Sequence, residues 1–147
     1  MPDTLRQQII TAVDAKLKTI LVTGGYYTNL GQNVKEWDET PLAVSEAFRV
    51  EYRDEEELRQ DLVVGEQDIM LPLTIRVLAA GSTSPATLRK MLADVAKAMH
   101  ADPTWGGLAS DTVQDGAAVV EKAEAADIAA GTQVKYRVEY SLDRGAS

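Results

Sequence analysis

Apolar residues recur along this chain with two different periods, and each change of period marks out an element. Leu5, Ile9, Ile10, Val13, Leu17, Ile20 and Leu21 recur at helical spacing, with Arg6, Gln7, Asp14, Lys16 and Lys18 between them. That spacing predicts an amphipathic helix over about residues 4–21, capped by Asp3 or Thr4 and stopped by Gly24-Gly25. A second helix begins at Ser84-Pro85, where a capping hydroxyl precedes proline at the first helical position. Leu88, Met91, Leu92, Val95 and Met99 carry its apolar stripe to about His100.

Elsewhere the period drops to two. Phe48, Val50 and Tyr52 alternate with Arg49, Glu51 and Arg53, the pattern of a half-buried strand. Ile69, Leu71, Leu73, Ile75 and Val77 form a cleaner run. Pro72 stands on its opposite phase and has no N–H to give a ladder, which predicts an edge position or a bulge. Val34–Trp37 reads as a short strand, and Ala117–Lys122 and Gln133–Leu142 as two more. The alanine-rich, acidic Ala123–Ala130 suits a helical turn or a loop. The order helix, strands, helix, strands predicts an α+β fold: a mainly antiparallel, mixed sheet of about 4–5 strands packed against two main helices. A chain of 147 residues fits a single domain and buries roughly two thirds of its unfolded surface.

Charge adds a feature that periodicity does not show. From Glu46 to Asp68 there are nine acidic residues against three arginines, so −6 of the formal −8 falls in 23 residues. The stretch reads as a long acidic loop, about 53–68, either a solvated hairpin or a segment that orders against a partner. Leu58, Leu62, Val63 and Val64 are apolar residues that a purely solvating loop would not need, which makes the stretch the best interface candidate. Reversing Asp54, Glu55, Glu56 and Glu57 to Lys is expected to abolish assembly and leave the fold intact. The acidic balance also argues against general binding to nucleic-acid backbones.

Catalytic constellations are not recognisable. With no cysteine, thiol catalysis, disulfides and cysteine-ligated zinc are excluded. The single histidine, His100, complements the negative end of its own helix, and with Asp102 it supplies too few ligands for a metal. Gly24-Gly25 lacks the lysine of a P-loop. Carboxylate pairs such as Asp38-Glu39 read as solvated faces, and Tyr26-Tyr27 with Trp37 as core or subunit contacts rather than a base-stacking platform. Neither a leader peptide nor an apolar run of the roughly 20 residues that a spanning helix needs is expected.

Three segments carry a resemblance. Asp102-Pro103-Thr104-Trp105-Gly106-Gly107-Leu108-Ala109 follows a helix and ends in a Gly-Gly reversal suited to packing by an aromatic ring. With Gly25-Tyr26-Tyr27-Thr28-Asn29 and the alternation Val134–Tyr140, it resembles the tail terminator (tail completion, minor tail protein U-like) family of long-tailed bacteriophages. The resemblance implies a structural virion protein with no catalytic residue, cofactor or metal. Such proteins cap the head-proximal end of the tail tube as a ring, a hexamer when assembled, stop tube polymerisation and present the surface for the head connector or neck protein. Assembly in the host bacterial cytoplasm is implied, from a subunit that is monomeric in solution if its acidic loop orders only on its partner. DNA would pass the lumen without specific binding, and no membrane is involved. Asp54, Glu55, Glu56, Glu57, Arg59, Tyr26, Tyr27 and Trp105 are the candidate subunit or tube contacts. Rival readings are a head–tail joining or neck protein, a small binding module, and, furthest off, a small enzyme.

Overall fold

A computed structural model describes residues 3–37, 42–43, 45–61, 65–116, 119–121 and 130–143. Helix α1 (Leu5–Leu17) opens the fold, with the Thr4 hydroxyl accepting from the Gln7 amide as its cap. It ends four residues before the expected Leu21. The chain turns after Lys18 so that the Ile20 carbonyl accepts from the Gly31 amide at 2.8 Å. A Cβ on Gly31 would lie 2.4 Å from the Lys18 carbonyl oxygen, so glycine permits this close crossing. Ile20 thus stays in the core without being helical. Gly24-Gly25 closes a short 3-10 turn, Val22–Gly24, and not the helix.

The strands are β1 (Val34–Glu36), β2 (Phe48–Asp54), β3 (Leu58–Asp61), β4 (Glu66–Ala79), β5 (Asp111–Gln114), β6 (Val119–Glu121) and β7 (Ala130–Asp143). They form one mixed sheet in the order β1-β2-β4-β7-β5, with β3 also paired to β4 and β6 to β7. β1 and β2 are parallel and all other pairs antiparallel. The sheet is therefore five strand positions wide, as the alternation predicts, while two of those positions are split.

The first split has a visible cause. Asp54 pairs with Leu73 and Leu58 with Met70, so residues 55–57 face only Leu71 and Pro72. Pro72 accepts from the Glu55 amide through its carbonyl but has no N–H to return. The neighbouring strand therefore bulges and breaks into β2 and β3. Pro72 itself sits in a central strand, since β4 pairs with β7 along its whole length. Of the two expectations for this proline, the bulge is the one realised.

Helix α2 (Pro85–Ala101), capped by Ser84, lies with α1 on one face of the sheet. Ile69, Leu71, Leu73, Ile75 and Val77 of β4 and Val134, Tyr136, Val138 and Tyr140 of β7 meet Ile9, Val13, Leu17, Leu88, Val95 and Met99 of the helices. Tyr52 reaches from β2 to give its hydroxyl proton to Asp14 at 2.9 Å. Burial and the ring of opposed acids push the Tyr52 phenol well above its usual range.

Candidate interaction surface

Where a long acidic loop was expected over 53–68, the chain forms a strand hairpin instead. The end of β2, all of β3 and the start of β4 fall within that span. Sequence reading missed β3 because Leu58-Arg59-Gln60-Asp61 has no apolar alternation. What holds it is pairing with β4, which is tertiary information. All four β3 residues are exposed, and Leu58 retains 59% of its surface.

The candidate acids divide into two groups. Arg6 of α1 donates to Asp54 at 2.7 Å and to the Glu55 carbonyl at 2.8 Å, and its guanidinium lies 3.4 Å from Glu57. Glu57 also accepts from Arg59 at 2.8 Å and from the Tyr140 hydroxyl at 3.1 Å. Burial pushes the Glu57 carboxyl upward, but the Arg59 and Tyr140 hydrogen bonds outweigh it and the net shift is down. Tyr140 is raised to about 12, mainly by its burial. Glu55 accepts from Thr74 and Arg53. Of the four acids proposed as contacts, Glu56 is exposed and the other three are half-buried. Reversing all four would therefore detach α1 from the bulge, and the expectation of an intact fold is corrected accordingly.

On the face of the sheet away from the helices, Arg49 and Glu51 are as buried as the core, 1% and 0% exposed. Alternation had placed both toward solvent. Glu51 accepts from Arg76 at 2.6 Å and lies 3.9 Å from Arg49. Arg49 also pairs with Glu46. The Arg49 hydrogen bond, helped by the Ala43 amide and Asn33, lowers the Glu46 carboxyl from 4.5 to about 2. Trp37 lies under Arg76 and Arg53, their guanidinium carbons 3.5 and 4.2 Å from its ring centre.

The Gly-Tyr-Tyr connection is fixed by a residue that the sequence gave no reason to choose. Asp94 of α2 is 1% exposed, and its carboxylate accepts from the Tyr27 amide at 2.9 Å, the Thr28 amide at 2.8 Å and the Thr28 hydroxyl. Its one warning sign is an acid beside Val95 in an apolar stripe. Tyr26 packs on the core with Lys97 over its ring, whereas Tyr27 stays 69% exposed.

Trp105 is a core residue and not a surface contact. It is 5% exposed, at a positive φ of 52°, and its indole N–H donates to Thr112 at 2.7 Å. Gly106 and Gly107 also take positive φ, while Asp102 accepts from the Gly106 amide and from Thr104. Those bonds, the Gly106 amide foremost, hold the Asp102 carboxyl below its usual range. The reversal is thus packed by its aromatic ring as expected. The same turn and α1 border an open depression of about 310 Å³ lined by Ala12, Ala15, Lys16, Thr19, Asp102 and Trp105. One acid and one lysine there make no catalytic constellation. His100 meets the buried Tyr136 edge-on at 5.6 Å. Among the described residues no cluster of three or more His, Asp or Glu side chains is arranged to hold a metal ion, and no helix is long and apolar enough to cross a membrane. No known protein-family model matches the chain, and no curated protein matches it.

Proposed function

We propose that this chain is a structural subunit of a phage tail, of the terminator type, which caps the head-proximal end of the tail tube as a ring. The observation that carries the reading is the β3–β4 hairpin. Four consecutive exposed residues form a strand whose far side is paired with no other described strand. An open edge of this kind is a ready template for another chain. Rotationally closed contacts between unlike surfaces give a ring whose two ends differ, one suited to the tube and one to the neck. Capping then ends elongation by occlusion, with no chemistry required.

The test is a polymerisation assay with the tail tube protein of the same phage, scored by tube length in negative stain. Addition of this protein is expected to arrest growth and leave a ring at one end. Tubes that grow to the same lengths with and without it would exclude the reading. Binding to filled heads but not to tubes would instead identify a head–tail joining protein.

A further inference from the structure

Two surfaces on opposite faces of the sheet, the hairpin end and the outer stripe of α2, carry opposite charge, and each is flanked by exposed apolar side chains. On the face away from the helices, the far end of the hairpin places Glu66 opposite Asp143 and Asp68 opposite Ser141, with Leu58 opposite Met70 on the same side. On the other face, the exposed polar positions of α2 are Arg89, Lys90, Lys97 and His100, beside Pro85, Ala86, Ala93 and Ala101, and its one acid, Asp94, is buried. A helix surface whose exposed ionisable groups are all basic is notable in a chain of formal charge −8. Beside it lie Val22 and Tyr27, 53% and 69% exposed, tied to α2 through Asp94 and through Lys97 on the Gly25 carbonyl. Val22, Tyr27 and Leu58 are the exposed large apolar residues among those described.

We infer that these surfaces bind each other between copies of this chain. The acidic hairpin of one protomer would lie on α2 and the Tyr27 corner of the next, with Leu58 against Val22 and Tyr27. A protomer cannot satisfy the pair internally. The acids stand on the face of the sheet away from the helices, whereas α2 packs on the other face. The contact joins unlike surfaces on opposite faces, so it is head-to-tail, and each copy keeps one free surface of either kind until the ring closes. This inference rests on the proposed ring and names the interface that would build it.

The absence of cysteine makes the test direct. Leu58→Cys and Tyr27→Cys variants, each a single thiol, are mixed under mild oxidation, with either variant alone as control. The mixture is expected to give disulfide-linked pairs at least tenfold faster than either variant alone, and 1 M salt should reduce that rate. The Leu58→Cys/Tyr27→Cys double variant should give a ladder of linked oligomers. Arg89→Glu/Lys90→Glu in the Tyr27→Cys partner should suppress linking, and Glu66→Lys/Asp143→Lys in the Leu58→Cys partner should restore it. Linking no faster in the mixture than in the controls, or indifferent to these charges, would overturn the interface. If linking fails while the protein still arrests tube growth, the interface is wrong and the ring reading stands. If linking succeeds and tubes grow unchanged, the interface stands and the tail assignment falls.

Discussion

Replacing Asp94 with alanine is the perturbation that most directly probes how the helices position the Gly-Tyr-Tyr connection. The carboxylate is 1% exposed and accepts from two backbone amides and one hydroxyl. A hydrogen bond to a charged group contributes about 1.5–3 kcal/mol, so three would suggest a large loss. Tyr27 is exposed, however, and Thr28 only half-buried, so water can replace part of what they lose. A loss of about 3 kcal/mol remains. With a urea slope of about 2 kcal/mol/M, the unfolding midpoint should fall by about 1.5 M. Unfolding can be followed by the fluorescence of Trp37 and Trp105, the two tryptophans of the chain. Asp94→Asn, which keeps an acceptor oxygen, should fall between parent and alanine variant. Hydrogen exchange at the Tyr27 and Thr28 amides should accelerate in both variants. A midpoint for Asp94→Ala within about 0.3 M of the parent, with those amides still protected, would show that the connection is held by something else.

Two further expectations concern stability. Gly31→Ala should cost about 2–3 kcal/mol, because its Cβ would meet the Lys18 carbonyl backbone at 2.4 and 2.7 Å and neither strand of that crossing is a movable side-chain tip; thermal unfolding would check it, and an unchanged melting temperature would refute the crossing. Glu46 gives a pH dependence with a definite sign. Its folded pKa is held at about 2 against 4.5, so the unfolded chain binds the extra proton first. The stability it contributes is full above about 4.5 and is lost as pH falls toward about 2. Glu46→Gln should flatten the fall of the urea midpoint across that window, and an equal slope in both proteins would count against the Arg49–Glu46 pairing.

The elements that sequence made legible are those whose apolar residues keep a regular period. The alternation in Phe48–Arg53, Ile69–Val77 and Gln133–Leu142 locates β2, β4 and β7, and Ser84-Pro85 marks the start of α2 within a residue. β3 and β5 stayed hidden because short polar segments become strands only through the partner they pair with. Trp105 was legible as a turn aromatic but not as a buried one, since nothing local announces Thr112 as its hydrogen-bond partner. Arg49 and Glu51 misled for a related reason. Polar residues on the alternate phase read as solvated, yet here they pair with Glu46 and Arg76 beside a tryptophan. Charge clustering singled out the acidic stretch and wrongly gave it a loop. It also overlooked Arg6, which lies far away in sequence and neutralises part of the cluster.

The position of β7 sets the order in which this molecule can be made. It pairs Glu66 with Asp143 and Ala79 with Ala130, and it also receives β5 and β6. Everything it joins precedes it in sequence, so on the ribosome β4 emerges with its whole β7-facing edge unpaired. No earlier strand can take that place, because β2 and β3 occupy the opposite edge. Folding must wait for the distant strand, the situation in which loop closure is slow and nascent edges are prone to pair with other chains. Chaperones would meet this protein with its central strand half finished. Its yield would then be limited by the time between synthesis of β4 and arrival of β7.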